Sequence, residues 1–110
     1  MLNLRLYMFQ RLTALLMAPF VLTHLAVMIY AVQGGLSTSE ILGRTQGSFL
    51  WFLFYGIFVF AVSIHGAIGI RSILHEWMGF KGVALDCLMW IIGLGLFILG
   101  ARSVWAVTFA

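Results

Sequence analysis

Residues 49–70 read FLWFLFYGIFVFAVSIHGAIGI, and no position in this stretch carries a formal charge. Tyr55 and His65 are its only titratable groups. A helix needs about 20 consecutive apolar residues to cross the hydrocarbon core of a bilayer, and this run supplies them. The run is too long for a barrel strand. In lipid every backbone group must be satisfied within the segment, so the stretch is expected to be a helix.

The same pattern extends outward. Between Arg11 and Glu40 nothing is formally charged unless His24 is protonated, and Cys87–Ala101 is also free of charge. Three spans follow, at about 10–32, 49–74 and 83–103, in a single domain covering residues 1–110. Composition agrees: the 110 residues are 64% hydrophobic and 8% charged, with a mean hydropathy of +1.13. A soluble domain of that size cannot hide so much apolar surface, so the bilayer itself must solvate it. The expected fold is all-α, an integral membrane protein with three transmembrane helices. Three helices make a thin bundle, and the polar groups inside it need shielding. A partner in the membrane is therefore expected, either a second anchor chain or copies of this one.

The six basic residues are scattered, so the net charge of +3 gives no footprint for nucleic acid. Their sidedness carries more. Arg5, Arg11, Arg71 and Lys81 fall on the amino-terminal side of the membrane, Arg44 and Arg102 on the other. Four against two favours a cytoplasmic amino terminus and hence a multi-pass protein of the cell inner membrane. The first span is long and two more follow, so it is expected to be retained rather than removed as a signal peptide. Cys87 is the single cysteine, which excludes an internal disulfide, and its expected role is packing.

Between the spans the punctuation is specific. Residues 1–9 form a short amphipathic lead-in expected at the interface, and Pro19 is expected to bend span one. Residues 33–48 (QGGLSTSEILGRTQGS) are the only long polar connection, with a short surface helix expected over Ser39–Arg44. Residues 78–82 (MGFKG) link spans two and three so tightly that those spans must be antiparallel neighbours. Gly93, Gly95 and Gly100 form a small-residue stripe suited to close helix contact. Trp51, Trp77, Trp90 and Trp105 mostly fall near span ends, as an interfacial belt would.

His65 is the residue that points to chemistry. An imidazole at bilayer depth is costly unless something engages it. One reading is a histidine hydrogen-bonded to a neighbouring helix. The other is an axial ligand to haem iron, which needs a neutral imidazole, the form an apolar setting favours. Gly66 and Gly69 lie on the same helix and leave room for a macrocycle or a partner helix. There is no Cys-x-x-Cys-His, so any haem would be held by coordination and packing alone.

The segment His65-x-x-x-Gly69-Ile70-Arg71, with an acid at Glu76, closely resembles the haem-ligating segment of the cytochrome b and anchor subunits of succinate dehydrogenases. Glu76-Trp77 stands where an Asp-Tyr pair is found in the sister anchor subunit. In span one, Tyr7-x-x-Gln10-Arg11-x-Thr13 is similar to the family's Ser-x-x-His-Arg-x-Thr/Ser stretch. The resemblance takes in all three spans. It departs at Tyr7 for serine, Gln10 for histidine, Ser72 for the histidine after Gly-Ile-Arg, and Glu76 for aspartate, so the chain mixes features of the two anchor subunits. It implies a haem b held through His65, with Gly69 and Arg71 beside it, and a quinone pocket involving Arg11, Tyr7, Glu76 and Trp77. It also implies a flavoprotein subunit, an iron–sulfur subunit and a second membrane anchor as partners. This chain has no flavin fingerprint, dicarboxylate site or cysteine cluster of its own.

His24 has two readings as well: a span-one histidine bonded to a carbonyl or hydroxyl, or the ligand of a second haem shared with a partner chain. By helix rise it lies nearer the far end of its span than His65 does, so the two are poorly placed to clamp one haem. Near the cytoplasmic end, Arg71 and His75 suit the C-terminal dipole of span two, and Asp86 suits the N-terminal dipole of span three. Glu76 does not suit its helix end, which favours a proton-handling role for it. Two other functions remain at this level: a b-type cytochrome anchor of a different respiratory dehydrogenase, and a small homo-oligomeric transporter. The expected function is an anchor and haem-binding subunit of succinate dehydrogenase or fumarate reductase, passing electrons from the iron–sulfur subunit to quinone in the respiratory chain and tricarboxylic acid cycle.

Overall fold

The computed structural model describes the backbone of residues 2–109 and the side chains of residues 4–109. Four helices occur in the order α1 (Leu2–Gly34), α2 (Thr38–Thr45), α3 (Phe49–Met78) and α4 (Val83–Thr108), and no strand occurs among the described residues. The three long helices are each apolar and long enough to cross a membrane. They form a rod of 47 × 24 × 23 Å, so its long axis exceeds the ~30 Å hydrocarbon core. The chain exposes 7739 Å², against roughly 6,100 Å² for a soluble monomer of its mass. Most large apolar side chains, Leu15, Leu50 and Val83 among them, face outward. That surface needs lipid or a partner.

α3 is the centre. It packs against α1 on one side and α4 on the other, while α1 and α4 scarcely meet. Ala67, Ile68 and Met89 form the buried cluster, with Leu6, Ile64 and Ile92 against it. Close approach of α3 and α4 depends on two glycines. A Cβ on Gly93 would stand 3.3 Å from the Ala67 Cβ, and one on Gly100 would run into the Val59 methyls. Gly95, expected in the same stripe, has nothing within 4 Å. Positions 93 and 100 are two turns apart on one face, whereas 95 is turned about 200° from 93.

The connections follow their residues. Gly79 (φ 68°) ends α3 in the left-handed region, and the Gly79 and Phe80 N–H groups both donate to the Leu74 carbonyl. Gly82 (φ 92°) then turns the chain into α4. At the opposite end the expected surface helix is α2. The Ser37 hydroxyl caps it by accepting from Glu40 N–H at 3.2 Å, and also donates to Glu40 Oε1 at 2.7 Å. Arg44 Nη2 donates to the Gly35 carbonyl at 2.9 Å, closing the C-terminal end of α1. Thr45 Oγ1 donates to the Val107 carbonyl at 2.7 Å, and the Gly47 N–H to that of Thr108, closing the end of α4.

The expected lead-in is not a separate element: α1 runs from Leu2 through Pro19 to Gly34, with Met1 outside the described residues. α3 and α4 also overrun the expected spans, ending at Met78 and Thr108. Charged residues near a span end limit lipid burial, not helix formation.

Candidate functional site

His65 sits half-buried on the side of α3 that meets α1, and its Nδ1 lies 3.3 Å from Thr13 Oγ1. The threonine is buried and its hydroxyl is already committed. It lies 2.7 Å from the Phe9 carbonyl and 3.1 Å from that of Gln10, one helical turn back on α1. A hydroxyl has one proton to give. With that proton on a carbonyl, Oγ1 can only accept from His65, and Nδ1 must carry the ring proton. The Nε2 atom makes no hydrogen bond among the described residues and is not sealed off. The result is an imidazole fixed at one nitrogen and open at the other. A b-type haem requires that donor, so His65 fits the group the sequence implies.

His24 presents a different case. It is half-buried, with its ring edge-on to Tyr55 (centroids 5.7 Å apart) and Phe58 (5.5 Å), and its Nδ1 is buried with no hydrogen-bond partner. His65 is level with Thr13, eleven residues from His24, which is about 16 Å along α1. Two atoms so far apart cannot both bind one iron. Among the described residues no three His, Cys, Asp or Glu side chains converge on a metal position. This chain therefore offers imidazoles singly.

The glycines beside His65 are covered from within the chain. Gly66 meets Leu96 of α4, and Gly69 lies under Gln10, each at 3.4 Å from a notional Cβ. The expected room is taken up by helix contact.

A cleft of about 290 Å³ opens where the start of α1 crosses the end of α3. It is lined by Tyr7, Gln10, Arg71, Ser72, His75 and Glu76, with Leu6 and Ile68 at its apolar wall. Arg71 Nε pairs with Asp86 Oδ1 at 2.9 Å, so the Asp86 seen as a dipole partner of α4 is also the counter-ion of Arg71. Gln10 Oε1 is buried without a partner. His75 Nδ1 is 3.0 Å from the Phe80 carbonyl, which ties it to the tight turn. Of the residues expected around a quinone, Tyr7 and Glu76 line this cleft. Arg11 stands behind it, its guanidinium 5.8 Å from the centre of the Tyr7 ring. Trp77 points away and is 83% exposed.

A larger hollow lies elsewhere. A groove of about 660 Å³ runs between α1 and α4 over the Phe60–Ile64–Ala67 face of α3, and only Arg5 and Asp86 bring charge to it. Neither His24 nor His65 lines it. The smaller cleft holds most of the hydrogen-bonding groups. The sequence did not single out Thr13 as the partner of His65, nor Ser72 as a cleft residue. Thr13 and Gln10 both lie within the stretch that resembled the family pattern, which was the available signal.

Searches among curated proteins and among solved structures returned no match. A family model described as succinate dehydrogenase/fumarate reductase transmembrane subunit matches residues 2–101, which takes in α1, α2, α3 and most of α4. With three membrane-length helices and that match, the chain belongs to the succinate dehydrogenase/fumarate reductase transmembrane subunit family, the membrane-embedded part of a multi-subunit complex.

Proposed function

We propose that this chain anchors a succinate:quinone oxidoreductase, holds haem b through His65 and contributes the cleft beside it to quinone binding. The observation that carries this reading is the His65 imidazole, held at Nδ1 by Thr13 and left without a partner at Nε2 in the middle of an apolar helix. Haem b, when bound, supplies one-electron exchange between the iron–sulfur partner and quinone. Any second protein ligand to the iron would come from the second membrane anchor, because this chain has no other imidazole within reach of His65. The flavoprotein and iron–sulfur subunits dock on the cytoplasmic side of the inner membrane, where the α1 amino terminus and the tight α3–α4 turn lie.

Reducing a quinone to a quinol consumes two electrons and two protons. The cleft is suited to the proton side of that chemistry. The Tyr7 and Ser72 hydroxyls, the Gln10 amide and the Nη groups of Arg71 can donate to quinone carbonyl oxygens. His75 and Glu76 lie on the same wall near the aqueous end, and they carry protons inward. Arg11 orients the Tyr7 ring by lying over it. The Arg71–Asp86 pair keeps the guanidinium from facing lipid alone.

His24 supports a second reading, of a second haem shared with the partner chain. It is favoured by a half-buried imidazole whose enclosed Nδ1 finds no partner among the described residues, which leaves Nε2 as the nitrogen a ligand role would use. The other dehydrogenase anchors give way to the family match. A transporter would need an acidic group deep in a span, and Glu40, Glu76 and Asp86 all lie at helix ends.

The test is haem content. Purified complex carrying His65→Ala should lose the reduced-minus-oxidised Soret signal and the corresponding pyridine haemochrome. Full retention of both would remove His65 as a ligand.

A further inference from the structure

We infer that Thr13 is the positioning residue for the haem-binding imidazole: its hydroxyl fixes the proton of His65 on Nδ1 and aims Nε2 at the iron. This rests on the ligand role proposed for His65 and adds a residue from another helix to it. Thr13 is 7% exposed, so water does not compete for its hydroxyl. Its proton lies towards the Phe9 carbonyl at 2.7 Å, the shortest of its contacts, and the i−4 bond of a helical threonine holds the side chain in one rotamer. The remaining contact, 3.3 Å to His65 Nδ1, is then an N–H···O bond with the histidine as donor. Among the described residues no other polar group hydrogen-bonds His65, so none of them besides Thr13 selects between the two ring tautomers.

Two consequences follow. A ligand histidine that donates its second N–H becomes a more basic donor to iron, which favours the ferric state. The same bond links α1 to α3 at the depth of the ligand, so the ring plane is set by where α1 packs. His24 makes the contrast: its Nδ1 is enclosed but has no partner among the described residues to define its tautomer.

The assembled complex bearing Thr13→Val, which keeps the shape and removes the acceptor, should keep its haem. Its midpoint potential should move upward and its low-spin EPR g-values should shift. Thr13→Ser, which restores the acceptor, should return both to the wild-type values. Packing alone would not produce that pattern, because serine is the poorer shape match. A valine variant with unchanged potential and g-values would overturn the inference. If that variant does not assemble, 15N shifts of labelled histidine in the reduced, diamagnetic wild-type complex decide the point. A protonated Nδ1 on the iron-bound ring supports Thr13, and an iron-bound Nδ1 refutes it. Loss of the ligand role itself would show separately, as haem retained in His65→Ala.

Discussion

Arg71 Nε stands 2.9 Å from Asp86 Oδ1, joining the last turns of α3 to the first turn of α4 across the tight Gly79–Gly82 link. Both side chains are mostly shielded, at 14% and 32% exposed, so the pair is screened less than a surface bridge. A hydrogen bond to a charged group in such a setting contributes about 1–2 kcal/mol. Asp86→Asn should therefore lower the thermal midpoint of the detergent-solubilised complex by a few degrees. It should also leave haem content unchanged, since Asp86 touches neither His65 nor its Thr13 partner. A double-mutant cycle with Arg71→Gln showing no coupling between the two positions would refute the pair.

Gly100 and Gly95 should behave oppositely. Adding a methyl group at Gly100 drives it into Val59, whose branched side chain has little rotamer freedom in a helix. Gly100→Ala is expected to cost about 1–3 kcal/mol through overpacking. Gly95 faces open space, and Gly95→Ala should be neutral or stabilise by up to ~1 kcal/mol through helix propensity. The measurement is the fraction of chain recovered in assembled complex by size exclusion after mild heating. Equal losses in both variants would mean that the α3–α4 contact is not where this packing has it.

The spans were legible because charge-free runs of membrane length admit one backbone solution. The antiparallel pairing of α3 with α4 was legible from the five-residue link. That pairing also contained the Arg71–Asp86 contact, since Arg71 lies two turns before the end of α3 and Asp86 in the first turn of α4, an offset that a long arginine side chain spans. It went unread because each residue already had a dipole partner. The Thr13–His65 contact was not legible: residues 33–48 include a helix of their own, so sequence does not fix the register of α1 on α3. The glycine stripe was read by residue type when the 3.6-residue period separates Gly95 from Gly93 and Gly100. Trp77 was assigned from the resemblance of Glu76-Trp77 to an Asp-Tyr pair, and neighbours on a helix point about 100° apart, so one of the two can line the cleft while the other faces outward.

Gln10 offers a test of the cleft in which stability and function should move in opposite directions. Its Oε1 is buried without a partner, a condition that costs about 1–3 kcal/mol. Gln10→Leu removes that atom at similar size, so the thermal midpoint should hold or rise. If the amide meets a quinone oxygen, the same variant should raise the KM for quinone by roughly tenfold, the equivalent of one hydrogen bond near 1.4 kcal/mol. A variant with unchanged KM would take Gln10 out of the binding site and leave its orphaned carbonyl a packing defect.

His24 decides the haem count. With about 16 Å of helix between it and the level of His65, it cannot serve the same iron, so a role in ligation requires a second haem. On that reading the wild-type complex contains two haems, and His24→Leu should reduce the haemochrome ratio from two per complex to one. The component that survives should keep the potential of the His65 haem, because the two rings share no contact. The leucine also removes a buried, unpartnered nitrogen, so any loss of pigment could not be put down to a weakened fold if the thermal midpoint holds. A wild-type ratio of one would end the second-haem reading and leave His24 as a histidine awaiting a hydrogen bond from the partner helix.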